Sequence, residues 1–211
     1  MKIEIISVSA LDDGAEILLT IKISNGEGRG EKRKLLLFTE QYLELGLCKG
    51  AIIDMATFDK LEEMSKRCKA IRKGSELLSY SSSSRVRLAQ RLRAKGVDKE
   101  SAEDAAEHLQ KLGAINESND VERLIRGDLK KLWGRKRIYS DLCSKGYDRD
   151  IITEKLDEIE NDVFVENCRA LFLKKYKIMP SDSAEQKKVF AALVRYGYTF
   201  SQIREALQNL Q

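Results

Sequence analysis

Apolar residues alternate with polar ones at the start of the chain and recur every three to four positions after about residue 58. The runs "KIEIISV" (2–8), "EILLTIKI" (16–23) and "EKRKLLLF" (31–38) have the β-branched, alternating character of strands. "NGEGRG" (25–30), between the last two, predicts a turn through its Asn-Gly and further glycines. "TEQYLELGL" (39–47) predicts a short helix with Thr39 as N-cap and an end near Gly46, and "KGAIIDM" (49–55) a further strand. Beyond Phe58 the helical period takes over. One helix is expected to run to Tyr80, although Gly74 argues against its continuity. "SSSS" (81–84) reads as a joint whose last member, Ser84, caps the next helix.

A short pattern then repeats. "AKGVD" (94–98), "SKGYD" (144–148) and "RYGYT" (195–199) place Gly96, Gly146 and Gly197 at offsets of 50 and 51 residues. Each glycine follows an i, i+4 apolar pair: Leu88/Leu92, Ile138/Leu142 and Val189/Leu193. It therefore sits where a helix ends in a left-handed residue. The apolar residue after it (Val97, Tyr147 or Tyr198) is placed to fold back on that helix. Asp98, Asp148 or Thr199 then caps a second helix, and Thr199 with Gln202 matches a capping box. The second helices carry Ala102/Ala106/Leu109, Ile152/Leu156/Ile159 and Ile203/Leu207/Leu210 in one register.

The expected fold is mainly α: tandem three-helix repeats in an elongated curved array, preceded by a small β-rich N-terminal domain. The expected domains are a head over 1–57 with one short helix and a helical region over 58–211. Its repeats fall at about 84–133, 134–180 and 181–211, the last truncated.

The net charge of +4 is small, but the head carries −2 and the rest +6, so the basic excess belongs to the helices. It is clustered. Arg123, Arg126, Lys130, Lys131, Arg135, Lys136 and Arg137 face a single acid, Asp128, in that stretch. The helix before the first joint carries Arg85, Arg87, Arg91 and Arg93, with no acid from Ser81 to Val97. A solvated face and a phosphate-binding stripe are both consistent with such runs. The weight of arginine, which forks onto phosphates and carboxylates, favours the stripe. The candidate binding residues are Arg85, Arg87, Arg91, Arg123, Arg126, Lys130, Arg135, Lys136, Arg137, Lys145 and Arg195. Trp133, inside the second cluster, is open to packing between repeats or to stacking on a base.

Catalytic chemistry finds no foothold. There is one histidine, no Gly-rich phosphate loop and no CxxC, so no catalytic, cofactor or metal residues are expected. Adjacent acids such as Asp12/Asp13 and Glu62/Glu63 point apart on regular backbone. Cys48, Cys68, Cys143 and Cys168 are too dispersed for a disulfide framework and are expected as buried, reduced thiols. Neither a signal peptide nor an apolar run of membrane-spanning length is seen, which points to a soluble cytoplasmic protein.

The segments "RVRLAQRLRAKGVDKE", "IRGDLKKLWGRKRIYSDLCSKGYDRDII" and "KKVFAALVRYGYTFSQIREAL" resemble the RecX family of regulatory proteins, over about residues 65–211. "GRKRIYSDLCSKG" resembles that family's Gly-x-x-Arg-Ile-x-x-x-Leu-x-x-Lys-Gly, carried here by Gly134, Arg137, Ile138, Leu142, Lys145 and Gly146. One departure is Asp120-Val121 where the family has Phe-Ala. The resemblance implies a non-enzymatic modulator of the RecA recombinase in DNA recombination and repair. It implies lodging in the groove of a RecA–single-stranded DNA filament, with only weak or indirect duplex contact. The expected effect is inhibition of ATP hydrolysis and strand exchange, or filament disassembly, by a monomer without cofactors. From the residues alone, a stand-alone helical nucleic-acid-binding module and a protein–protein scaffold stand beside it.

Overall fold

The computed structural model describes residues 1–11, 14–24 and 30–208. Asp12/Asp13, all but Gly30 of the expected turn, and Leu210 lie outside them. Two compact units divide the chain, one of residues 1–81 and 88–112, the other of residues 82–87 and 113–211.

In the first unit, β1 (Lys2–Leu11), β2 (Glu16–Ser24) and β3 (Glu31–Phe38) form an antiparallel sheet, and β4 (Ile52–Ile53) pairs with Ile3 and Glu4 on its far side. Strand alternation sends Ile3, Ile5, Leu19, Ile21 and Leu37 inward, against Phe58 and Leu61 of α2 (Met55–Tyr80). The outer edge of β3 is partly covered, because the Leu36 N–H donates to Ser65 Oγ of α2 (2.9 Å). Thr39 is not the cap of α1 (Thr39–Glu44). β3 runs directly into the helix, Phe38 takes the cap position, and the Thr39 hydroxyl donates to the Gly14 carbonyl instead.

α2 is unbroken through Gly74. The glycine serves packing: a Cβ there would come within 2.6 Å of Leu109 Cδ1, with Leu88 and Leu92 just beyond. It admits α4 (Lys99–Lys111) and the part of α3 (Arg85–Ala94) that belongs to this unit.

The second unit contains α5 (Glu117–Lys130), α6 (Arg135–Ser144), α7 (Arg149–Asp157), α8 (Asn161–Lys175), α9 (Ser183–Arg195) and α10 (Phe200–Leu207). Its core includes Val121, Ile125, Ile138, Leu142, Ile152, Leu156, Phe164, Phe172, Leu193 and Ile203. Of the four cysteines, Cys68 and Cys168 are buried thiols pushed up to about 12 by burial, but Cys48 is exposed and Cys143 only half-buried.

All three joints form as the pattern predicts. Gly96, Gly146 and Gly197 have φ of +86°, +78° and +98°, the region only glycine enters without strain. Val97, Tyr147 and Tyr198 each donate their N–H to the carbonyl five residues back (Leu92, Leu142, Leu193), closing a Schellman motif. Asp98 and Asp148 cap α4 and α7 through their carboxylates, and Thr199 and Gln202 complete the capping box of α10.

Helices also pack across the joints. α2 packs on α4, α5 on α6 and α7, and α8 on α10. The joint at Gly146 lies between α6 and α7, both of which pack with α5.

A common bond explains what the joints hold. The carbonyl just before each joint glycine accepts from a neighbouring element: Lys95 from Lys73 Nζ (2.9 Å), Lys145 from Ser84 Oγ (2.8 Å), Tyr196 from the Gly134 N–H (2.8 Å). Ser84 also caps α3, accepting from the Arg87 N–H (3.2 Å), so one hydroxyl serves two helix ends.

Beside it the buried Glu117 carboxylate accepts from the N–H groups of Arg85 (2.8 Å) and Asp148 (3.3 Å), at the starts of α3 and α7. Nothing in the local sequence singles out this residue. Glu117→Ala leaves both donors unpaired and is expected to cost about 2–4 kcal/mol, read as a fall in the urea midpoint at constant m-value.

Candidate nucleic-acid interface

Amphipathic helices place the candidate residues. On α5 the apolar side buries Val121 and Ile125, so Arg123, Arg126 and Lys130 emerge exposed on the other side. Arg123 donates to Ser82 Oγ (2.7 Å) and Asp120 (3.0 Å), Arg126 pairs with Glu122 (3.2 Å), and Lys130 has no ion-pair partner among the described residues. These exposed pairs are weak enough for a ligand to displace. Arg85 and Arg87 are exposed on the first turn of α3.

Other candidates have structural partners. Arg91 is half-buried and reaches Ser81 Oγ (3.3 Å) and the Leu77 carbonyl (3.5 Å), so it ties α3 to the end of α2. Lys145 pairs with Asp141 one turn earlier, and Arg135 with Asp157.

Lys136, Arg137 and Arg195 are brought together. With Trp133, Ser140 and Asp141 they line an open groove of about 420 Å³ between α6 and the end of α9. The Arg137 guanidinium lies 4.1 Å from the Trp133 ring centre and 4.9 Å from that of Tyr196. Lys131 Nζ stands 4.8 Å from Trp133, and Lys175 Nζ 4.3 Å from Tyr196. Two rings and three cations thus form one cluster, each contact within the range of cation–π attraction. The Lys175 hydrogen bond, then its charge and that of Arg137, holds the Tyr196 phenol below the usual tyrosine range. Trp133 is neither sequestered nor free: it packs on the core with one part and carries cations on another.

Beneath this cluster two backbone segments approach too closely to admit a Cβ. A Cβ on Gly134 would lie 2.4 Å from the Gly197 carbonyl carbon, and one on Gly197 would lie 2.4 Å from the Arg137 nitrogen. Tyr198, fully buried, donates its hydroxyl to the Leu132 carbonyl (2.8 Å), and burial pushes its phenol up. Tyr198→Phe is expected to cost about 1 kcal/mol, seen as a small drop in thermal midpoint with the groove intact.

Lys131, Lys175 and Tyr196 were not among the sequence candidates. Lys175 comes from a different helix, which periodicity does not connect to α6. Tyr196 had a signal: it stands where the other joints have Lys95 and Lys145.

Residues 162–207, spanning α8 to α10, match the family model described as RecX, third three-helix domain. The regulatory protein RecX of Clostridioides difficile (strain 630) is 23% identical over 185 residues, covering 85% of this chain and 86% of its own. That of Stenotrophomonas maltophilia (strain R551-3) is 29% identical over 124 residues, 58% of this chain and 76% of its own. Over most of its length, then, the chain is similar to regulatory proteins named RecX. A crystal structure of a regulatory protein RecX shares its fold, with a TM-score of 0.76 at 17% identity over 99% of this chain and 98% of that one. RecX from Lactobacillus salivarius aligns with a TM-score of 0.60 at 23% identity, over 69% of this chain and 96% of its own. The matched family domain is the α8–α9–α10 bundle, the same frame that packing defines. No helix among the described residues is long and apolar enough to cross a membrane. Nor do three potential metal ligands gather anywhere among them.

Proposed function

We propose that this protein regulates the RecA recombinase, as a cytoplasmic monomer that lodges in the groove of the RecA–single-stranded DNA filament. There it inhibits ATP hydrolysis and strand exchange or promotes disassembly, without catalysing a reaction of its own. Similarity to proteins named regulatory protein RecX supports this reading. The observation that carries it is the exposed basic set on α5 and α6, with Arg126 and Lys130 on one helix face and Lys136 beyond. Filament grooves present DNA phosphate and protein carboxylates together, and a binder touching several protomers adds their contacts.

The test is a titration of RecA ATPase on single-stranded DNA. Sub-stoichiometric addition should depress turnover, at concentrations where naked duplex is bound only weakly. Unchanged turnover at stoichiometric excess rejects the reading. With about four phosphate contacts, log affinity for single-stranded DNA should fall with log salt at a slope of roughly −3. A flat salt dependence would mark a pure protein–protein scaffold.

A further inference from the structure

We infer that the groove between α6 and α9 is a phosphodiester site for single-stranded nucleic acid, with Arg137 as its fixed fork and Lys136 and Arg195 as its walls. The inference deepens the reading of the basic surface as a nucleic-acid interface, and it concerns the chain and DNA without RecA.

Arg137 carries the argument. Several surface arginines here are committed to a carboxylate: Arg123, Arg126, Arg135 and Arg169 all bond acids. No carboxylate among the described residues bonds Arg137. Its position is set by Trp133 and Tyr196, which engage the guanidinium through their rings. Rings hold the planar group but accept none of its in-plane N–H bonds. The five donors thus remain for a ligand, and the geometry of the fork suits a phosphate with two bare oxygens. Holding the side chain in advance also removes entropy that binding would otherwise cost.

The surroundings fit the same ligand. Lys136 and Arg195 are exposed on opposite sides of the groove, from α6 and α9. The one acid lining it, Asp141, is already paired with Lys145, so the groove keeps a positive balance. Ser140 adds a neutral donor at the wall. An acidic protein segment would use the cations but has no need of Trp133, the aromatic residue that lines the groove. A nucleotide chain uses both, because each base offers a flat face beside its phosphate. Duplex DNA hides those faces, which favours single strands.

Trp133 is the only tryptophan in the chain and stands in the site, so its emission reports occupancy directly. The full-length protein is titrated with an oligothymidylate, a duplex of equal length and an oligoglutamate. The expected result is a saturable change in Trp133 emission with the single strand, reversed by salt and at least fivefold weaker with duplex. Lys136→Ala with Arg195→Ala should weaken single-strand affinity tenfold or more while leaving the thermal midpoint unchanged, since both side chains are exposed. Arg137→Lys, keeping charge but losing the fork, should weaken it several-fold. Lys187→Ala with Lys188→Ala removes the same charge outside the groove and should have little effect. Equal loss in both double variants, or DNA binding by anisotropy without a change in emission, overturns the assignment. So does an oligoglutamate that binds as tightly and responds to the same variants. RecA inhibition that survives all of these would leave the proposed function standing and sink this site alone.

Discussion

Replacing Gly197 by alanine is expected to lower the thermal midpoint by roughly 10 °C, since about 3–4 kcal/mol is lost at ~2–4 °C per kcal/mol for a chain of this size. Two penalties coincide. The φ of +98° strains any side-chain-bearing residue, and the new Cβ would stand 2.4 Å from the Arg137 nitrogen and 2.7 Å from the Gly134 carbonyl oxygen. Those are backbone atoms at a helix start, which no rotamer change can move aside. Gly134→Ala should behave similarly, through the clash alone. Gly127→Ala is the contrast: it lies inside α5 with nothing within 4 Å of its Cβ, and should stabilise by up to about 1 kcal/mol. Differential scanning calorimetry of the three variants decides. If Gly197→Ala melts like Gly127→Ala, the close approach of the two backbones is not present in solution.

Reversing charge on α5, by Arg126→Glu with Lys130→Glu, is expected to reduce inhibition of RecA ATPase tenfold or more. Both side chains are exposed and the helix buries its other side, so the fold should hold; the one ion pair removed, Arg126–Glu122, is a surface pair worth under about 1 kcal/mol. If both residues meet phosphate, the salt slope should also shrink by about 1.4, at ~0.7 per contact. A folded double variant that inhibits as well as the parent would show that this part of the surface is merely solvated. Single substitutions should do less, because a contact spread over several protomers shares its energy.

The strands and joints were legible because each depends on neighbours in sequence. Alternation in "EILLTIKI" and the Gly-apolar-cap pattern are local physics, and the sheet, the three positive-φ glycines and their caps follow it. The failures share a different cause. Thr39 looked like a cap because a strand was not expected to enter a helix without a spacer. Gly74 looked like a break because its partner Leu109 is 35 residues away. Glu117 drew no notice in the sequence, because the two helix starts it serves are 32 and 31 residues distant. The basic stretch was visible as charge. What was not visible is that Arg91 and Arg135 are held by other partners, whereas Arg137 is held by rings. Charge is written in the sequence, but availability is decided by the fold.

The bond from the Gly134 N–H to the Tyr196 carbonyl joins two bundles through main-chain atoms only. Its amide proton can exchange with solvent only when that seam parts. In deuterated water, the lifetime of this one proton therefore times the release of the α8–α10 bundle from α6, as an event distinct from global unfolding. The serine-mediated bond at Ser84 has no such clock, since a hydroxyl proton exchanges too fast to follow. Of these two bonds, only the main-chain one can be watched opening atom by atom.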